Sequence, residues 1–307
     1  MTAVRDETVP IVNAMTVDVE DYFHVSVFDG LVPRHAWEGM ESRVCANTER
    51  LLAIFDESGI RATFFVLGWV ADRFPHLVRA ISDAGHEIAS HGYGHRLVYD
   101  LTPRAFREDI RRSKDLLESA IAGRVYGYRA PSYSVTSRSL WALDVLIEEG
   151  FRYDASIFPI HHDRYGIPIS ARHPYLLSRQ ADLVEAPGST VRLGPFNVPI
   201  GGGGYFRILP YAWTRWGIKR LNEVEGTAAI FYLHPWEIDP EQPRLSAPAL
   251  GQFRHYFNLG RTEQRLRTLI RDFSFSTMIA LLGAHVERVA DPAADPTAAA
   301  GPLPYVW

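Results

Sequence analysis

The feature that most constrains the fold of this chain is a regular alternation of strand-like apolar segments with helix-like amphipathic segments. The segment "RATFFVLG" (residues 61–68) is a continuous run of apolar, β-branched and aromatic side chains, typical of a parallel strand that is buried on both faces. Residues 103–121 show the period of an amphipathic helix, with Pro103 in its first turn. Short connections join such segments along most of the chain. We therefore predict an α/β fold built on a parallel sheet, closed or open.

The alternation is interrupted at residues 160–209, which are rich in Gly, Pro and His and have no helical period. We predict an insertion of hairpins and loops there. It contains the run "GGGG" at 201–204, which no Lys-Ser/Thr follows and on which no helix is predicted to open, so a phosphate-binding loop is not indicated. A close approach of backbone to a neighbour or ligand, or a flexible rim, explains the glycines better. The Ala/Pro-biased tail, residues 284–307, is expected to be mobile.

Composition excludes several classes of protein. A net charge of −4 and a pI of about 6.3 argue against a nucleic-acid-binding protein. The chain has no run of 18 apolar residues that would predict a transmembrane helix, and its first residues lack the apolar run of a signal peptide, so a cytoplasmic location is expected. Because Cys45 is the only cysteine, a bound metal would need His and carboxylate ligands, and the chain has 12 histidines.

Polar clusters follow two of the predicted strands. "MTVDVEDYFH" (residues 15–24) begins as a strand and then places Asp18, Glu20 and Asp21 within four positions. "SHGYGH" places His91 and His95 four residues apart, a spacing that lets two imidazoles bind one ion on a helix or tight turn. Two histidines and one carboxylate form a common open catalytic metal site, although a solvated polar turn would also explain the histidines.

Three more candidates follow other predicted strands. Arg129 in "YRAPSY" could keep a nearby carboxylate ionised and oriented. Asp154 in "YDASIFP" is a reasonable partner for Arg129. His234 in "FYLHPWE" ends a strongly apolar strand, where a catalytic and a structural histidine are both plausible. A covalent nucleophile is not indicated, because the chain has no G-x-S-x-G motif.

In their order along the chain, these motifs resemble those of the polysaccharide deacetylase family, the carbohydrate esterases that share a NodB homology domain. "RATFFVLG", "GHEIASHGYGH", "YRAPSYS", "DASIFP" and "YLHPWE" carry the resemblance, which covers roughly residues 12–283. More narrowly, "TVDVEDYFHV" and "GGGGYFRILP" resemble the branch found with bacterial exopolysaccharide and exosortase-linked gene clusters. The resemblance implies a distorted (β/α) barrel of the NodB-homology type and a single catalytic domain over residues 12–283, with the insertion at 160–209.

It also implies an activity, the hydrolysis of N-acetyl groups on amino sugars with the help of one divalent metal ion. Zinc is the expected ion, with cobalt, nickel or manganese as alternatives. By motif position, His91 and His95 correspond to the two imidazole ligands, Asp18 to the general base and His234 to the general acid. Arg129 corresponds to the arginine that tethers the base.

The chain departs from the family at the second acid of its first motif, where it has Val19. On an extended backbone Asp18 and Glu20 project to the same side, which favours Glu20 as the metal ligand, with Asp21 as the competing choice. For the substrate and the oxyanion, the resemblance indicates Pro131, a backbone N–H near Tyr133, and Trp236.

Two other functions remain compatible with the sequence. The D-x-E spacing also resembles relatives that open cyclic amides or imides such as allantoin. A non-catalytic carbohydrate-binding scaffold of exopolysaccharide assembly would need a broken site. For the deacetylase and for the scaffold, the expected partner is a carbohydrate. Peripheral association with exopolysaccharide assembly is a further possibility.

Overall fold

A curled, mostly parallel sheet organises the computed structural model, which describes residues 10–177 and 183–290. The strand order is β10-β1-β2-β3-β4-β5-β7-β6, and β11 pairs with the start of β1. Every pairing within this sheet is parallel except that of β6 with β7. The strands are β1 (Asn13–Val19), β2 (Thr63–Val66), β3 (Glu87–Ser90), β4 (Gly127–Tyr128), β5 (Tyr153–Asp154), β6 (Tyr175–Leu176), β7 (Val184–Glu185), β10 (Ile230–Leu233) and β11 (Phe275–Ser276). The predicted fold class is confirmed, as an incomplete barrel.

The central strands are buried along their whole length. Each residue of β1, β2 and β10 is inaccessible or nearly so, which explains why these strands are mainly apolar or β-branched rather than alternating, with Asn13 and Asp18 of β1 as exceptions. Because parallel strands end at the same edge of the sheet, the residues that follow β1, β3, β4 and β10 are brought together there.

Helices cover the sheet. They are α1 (Val44–Glu57), α2 (Gly68–Arg73), α3 (Pro75–Asp83), α4 (Pro103–Ile121), α5 (Trp141–Glu148), α6 (Gly203–Ile208), α7 (Tyr211–Lys219), α8 (Ala249–Tyr256), α9 (Leu259–Asp272) and α10 (Met278–Ala290). The predicted helix at 103–121 is confirmed: Thr102 caps α4 by accepting a hydrogen bond from the Ala105 N–H, and Pro103 occupies the first turn. Its buried residues, Phe106, Ile110, Ser113 and Leu117, follow the helical period.

The predicted insertion at 160–209 is only partly correct. It does contain a hairpin, formed by β8 (Thr190–Leu193) and β9 (Phe196–Pro199). However, β7 pairs with β5 and so extends the main sheet, and α6 begins inside the glycine run, where no helix was predicted. Two residues are too few to show a strand period, and glycine is a poor helix former, so neither element leaves a sequence signal.

The glycine run does approach a neighbouring strand closely, as one of the two interpretations predicts. Gly202 has φ +126° and forms an isolated parallel bridge with Tyr232 of β10. A Cβ on Gly202 would lie 1.9 Å from the Tyr232 carbonyl oxygen, so a side chain cannot be accommodated without moving backbone.

The end of the chain corrects one expectation. Residues 284–290 continue α10, so this part of the predicted mobile tail is helical, and residues 291–307 lie outside the described residues. Within the described ranges, no helix is both long and apolar enough to cross a membrane.

Candidate metal and catalytic site

Side chains from separate parts of the chain meet at the carboxyl edge of the sheet. They line a cavity of about 500 Å³. Seven of the predicted site residues lie on its wall, namely Asp18, Glu20, His91, His95, Tyr133, His234 and Trp236. Arg129 lies behind this wall, with 1% of its surface exposed. The sequence prediction that these motifs converge is therefore correct.

Glu20, His91 and His95 form a compact group of metal-ligating atoms. One ligand atom from each lies within 4.8 Å of the others, and all three side chains are buried. Glu20 Oε2 lies 2.8 Å from His95 Nε2, yet this buried oxygen makes no hydrogen bond. A buried carboxylate oxygen without a hydrogen-bond partner is costly unless a cation satisfies it. The two imidazoles and one carboxylate therefore fit a divalent ion.

The protonation states suit a metal site. Burial lowers the pKa of His91 to about 4, so its imidazole is neutral at pH 7, the form that binds metals. His91 Nδ1 lies 2.8 Å from the Arg129 carbonyl oxygen, which fixes the ring and leaves Nε2 as the ligand atom. Burial opposes ionisation of Glu20, but the nearby His95 and His234 outweigh it and hold the Glu20 pKa well below its usual range.

The turn that carries the two histidines is held by residues that the sequence analysis missed. Asp109 of α4 accepts hydrogen bonds from the Tyr93 N–H at 2.7 Å and the Gly94 N–H at 3.3 Å. Arg34 donates to the carbonyl oxygens of Gly94 at 2.7 Å and His95 at 3.1 Å. His95 itself has φ +47°, an uncommon conformation for a residue with a side chain. These contacts hold the strained turn in place.

Asp18 is paired with Arg129 beside the metal-ligating group. Arg129 Nη1 donates to Asp18 Oδ1 at 2.7 Å and to Thr16 Oγ1 at 2.8 Å, while its Nε donates to the Ala155 carbonyl oxygen at 3.3 Å. Burial opposes the charge on the guanidinium, but Asp18 outweighs this and raises the pKa of Arg129. The guanidinium also lies 4.1 Å from the centre of the Phe65 ring. Asp18 is thus fixed by an oriented cation.

His234 lies close to both the Asp18 and the Glu20 carboxylates. Its Nε2 lies 3.4 Å from Glu20 Oε1 and 3.9 Å from Asp18 Oδ2. Its Nδ1 lies 2.5 Å from Glu237 Oε1, and Glu237 in turn pairs with Arg207 Nε at 2.8 Å. Burial disfavours the charged imidazole, but Glu20 and Glu237 outweigh it and raise the His234 pKa to about 9. His234 is therefore protonated at pH 7 and able to donate a proton.

The roles of Glu237 and Arg207 were not predicted. The three-residue spacing in "HPWE" could have indicated Glu237, because that spacing lets a side chain return to the residue that caps a helical turn. Arg207 lies in α6 and gave no local signal. Its remaining donors bind the carbonyl oxygens of Arg254, His255 and Phe257.

The predicted substrate and oxyanion residues, Trp236, Tyr133 and Pro131, differ in their positions relative to the cavity. Trp236 lines the cavity, stacks on His234 at 5.1 Å between ring centres, and contacts His255 on its other face at 4.3 Å. Tyr133 also lines the cavity, but its backbone N–H donates to the Ala130 carbonyl oxygen at 3.1 Å, so it is not a free oxyanion donor. Pro131 begins the 3₁₀ turn Pro131–Tyr133 and is not among the cavity-lining residues.

Asp21 is used elsewhere and does not compete with Glu20. Its carboxylate accepts hydrogen bonds from the Ser42 hydroxyl at 2.7 Å and from the N–H groups of Arg43 at 2.9 Å and Val44 at 3.2 Å. It also caps the short turn Tyr22–His24. The consideration of Asp21 as a metal ligand is therefore wrong for this conformation, since its Oδ2 serves the start of α1 and its Oδ1 accepts from the Tyr22 N–H at 3.1 Å.

Asp154 does not pair with Arg129, contrary to the sequence expectation. It hydrogen-bonds to Ser156 and is opposite Glu185 in the β5–β7 register, with both carboxyl groups fully buried. Burial raises the pKa of Asp154 to about 6 and that of Glu185 well above its usual range. Asp154 lies outside the cavity wall, one strand beyond Arg129, and the geometry gives it no contact with reacting groups.

Two sequence models match the chain in succession. The first is described as polysaccharide deacetylase and matches residues 39–148, and the second, described as a domain of unknown function (DUF3473), matches residues 155–283. Among curated proteins, the peptidoglycan deacetylase-like protein FGM2 of Gibberella zeae is 36% identical over 110 residues, 35% of this chain and 32% of that protein. The first curated relatives are each matched over about a third of their length.

Two solved structures share the fold. A Mycobacterium smegmatis protein assigned to the polysaccharide deacetylases superposes with a TM-score of 0.58 at 22% identity, covering 96% of this chain and 99% of its own. PuuE allantoinase superposes with a TM-score of 0.56 at 15% identity, covering 91% of this chain and 90% of its own. These likenesses concern the fold alone, which an allantoinase also has. The match over residues 39–148 and the curated relatives thus make this part of the chain similar to polysaccharide deacetylases, as the motifs predict, and the solved structures show that the fold is shared.

Proposed function

We propose that this protein is a metal-dependent deacetylase that hydrolyses N-acetyl groups on amino sugars of a poly- or oligosaccharide. The observation that carries the proposal is the placement of three functions around one cavity. A metal-ligating group (Glu20, His91, His95) lies beside a tethered carboxylate, Asp18, and a protonated imidazole, His234. Hydrolysis of an amide needs a base for water, stabilisation of the oxyanion and an acid for the leaving amine, and the cavity offers a candidate for each.

The residues divide the reaction between two proton transfers. Asp18, held in place by Arg129, takes a proton from a water molecule as the water oxygen attacks the acetyl carbonyl carbon. Glu20, His91 and His95 would hold a divalent ion, which when bound would supply Lewis-acid catalysis. His234 donates its proton to the sugar nitrogen as the C–N bond breaks, which releases acetate and a free amine. Glu237 holds the imidazole through Nδ1, so that Nε2 faces the cavity.

The donor set narrows the choice of metal. Two imidazoles and a single carboxylate, with open positions left for water and substrate, suit zinc, and also cobalt, nickel or manganese. We infer that zinc is the native ion, on the basis of this nitrogen-rich set. Glycan strands of peptidoglycan, named for FGM2, and exopolysaccharides, suggested by the "GGGGYFRILP" resemblance, are the substrate classes to test first.

The test separates metal binding from proton donation. The metal content of purified protein and the acetate released from N-acetylglucosamine oligomers are measured for the wild type and for three variants. His95→Ala should lose both metal and turnover, whereas His234→Asn should keep the metal and lose at least about a hundredfold in kcat. His161→Asn, an exposed histidine outside the cavity wall, is the matched control and should change neither.

Other outcomes would point elsewhere. Turnover of cyclic amides or imides without release of acetate from sugars would favour the allantoin-type alternative. A protein that takes up no divalent ion after dialysis against zinc would instead support the scaffold reading. Full activity of His234→Asn would refute the assignment of the acid.

A further inference from the structure

The surface of α8 exposes apolar side chains beside the mouth of the cavity. Of its eight residues only His255 is buried, while Leu250 is 60% and Phe253 47% exposed. Phe257, directly after the helix, is 36% exposed, and its ring centre lies 4.8 Å from that of Phe253. Exposed apolar residues that are adjacent to one another indicate an interaction surface more strongly than scattered ones do.

Arginines accompany these apolar residues in the sequence. Residues 242–262 contain three arginines and no acidic residue. Arg244 shares a surface depression of about 550 Å³ with Phe253 and Phe257, and Arg254 lies on the same helix. We call Arg244, Leu250, Phe253, Arg254 and Phe257 the α8 patch. Its combination of exposed apolar side chains and arginines without acids is typical of a segment that lies at a membrane surface.

We propose that the α8 patch docks the protein on an anionic lipid bilayer. The apolar side chains would enter the headgroup region, and the arginines would lie against lipid phosphates. A neutral sugar chain is a poorer occupant, since it would leave the arginines of the patch without a counter-charge.

The position of the patch links docking to the catalytic cavity. Leu250 and Arg254 belong to the patch and also line the cavity, so a docked protein would present the cavity mouth at the bilayer surface. The backbone beneath the patch is firmly held, because Arg207 donates to the carbonyl oxygens of Arg254, His255 and Phe257. Exposed side chains can therefore be changed there without loosening the fold. Binding to a bilayer is a function beyond the proposed deacetylation, because it does not depend on catalytic turnover.

Vesicle sedimentation of the full chain tests the proposal. The wild type should sediment with vesicles of phosphatidylglycerol mixed into phosphatidylcholine, and salt should weaken this binding. Phe253→Ser combined with Phe257→Ser should lower the partition coefficient about tenfold or more, because neither side chain then enters the interface. Arg244→Gln should lower it about fivefold. Phe196→Ser, at a phenylalanine that is 60% exposed in β9, is the matched control and should bind as the wild type does.

Three results would overturn the proposal. The first is equal binding to vesicles of phosphatidylcholine alone, and the second is unchanged binding by the double variant. The third is a wild-type dimer, seen by light scattering, that the double variant converts to a monomer, because the patch would then be an interface between copies. Neither phenylalanine lines the cavity, so acetate release from soluble oligomers should be the same in the double variant and the wild type.

Discussion

Asp109 provides a sharp test of how the metal ligands are positioned. Its two carboxylate oxygens accept the N–H groups of Tyr93 and Gly94, the residues between the two candidate histidine ligands. In Asp109→Asn one oxygen becomes an NH₂ group that faces an N–H donor, so one hydrogen bond is lost and a buried donor is left unsatisfied. That costs about 1–3 kcal/mol. If this free energy is lost from the turn that carries His91 and His95, the affinity for zinc should drop about 10- to 100-fold, as for other residues that orient metal ligands.

Competition with a chromophoric chelator measures the zinc dissociation constant of each variant. Asp115→Asn is the control, because Asp115 lies on the same helix but is exposed. Thermal unfolding of the metal-free proteins shows whether Asp109→Asn is folded under the assay conditions. An unchanged dissociation constant in a folded Asp109→Asn protein would refute the reasoning, as would an equal loss of affinity in Asp115→Asn.

Two further predictions concern stability. Gly202→Ala should destabilise the fold by about 4 kcal/mol or more, because its Cβ would clash with the backbone of Tyr232. Gly204→Ala should be neutral or slightly stabilising, because the atom nearest to its Cβ would be 4.0 Å away. Urea unfolding of both variants checks this, and equal changes in the free energy of unfolding would contradict it. Burial and Arg61 lower the pKa of His86 to about 4, so an unfolded chain takes up a proton below pH 6.5 that the folded chain binds only near pH 4. Neutral His86 thus contributes fully to the free energy of unfolding above pH 6.5, and this contribution is lost as the pH falls. Between pH 7 and pH 5 the free energy of unfolding should fall by about 2 kcal/mol for this reason. His86→Gln should lose this part of the pH dependence in urea titrations, and the same pH dependence in both proteins would count against it.

The parts of the site that could be predicted are those that are local in sequence. An apolar strand followed by a polar residue can be recognised from one short segment, and parallel packing then brings such segments together. For this reason Asp18, His91, His95 and His234 were placed correctly at one edge of the sheet. Glu20, which the sequence favours over Asp21, is the acid grouped with His91 and His95, and its role as a metal ligand stays a prediction.

The parts that could not be predicted depend on contacts between distant segments. Whether Asp21 is free to bind a metal depends on Ser42, Arg43 and Val44, which use its oxygens more than twenty residues later. Asp154 was assigned to Arg129 because both follow strands, but β7, too short to be detected, supplies Glu185 as its neighbour. The contribution of Arg207 depends on a helix that begins in a glycine run.

The position of β1 in the sheet has a consequence for the order in which the protein matures. β1 pairs with β2, about fifty residues later, but also with β10, whose residues are more than two hundred positions away. Pairs so distant in sequence close slowly and only after the intervening chain is available. A ribosome-bound chain that has not yet emerged beyond Leu233 therefore already carries the candidate base and metal ligands but lacks the candidate acid. Catalytic competence would then arise in a single late step, and a fragment confined to residues 39–148 would be inactive however well it folded.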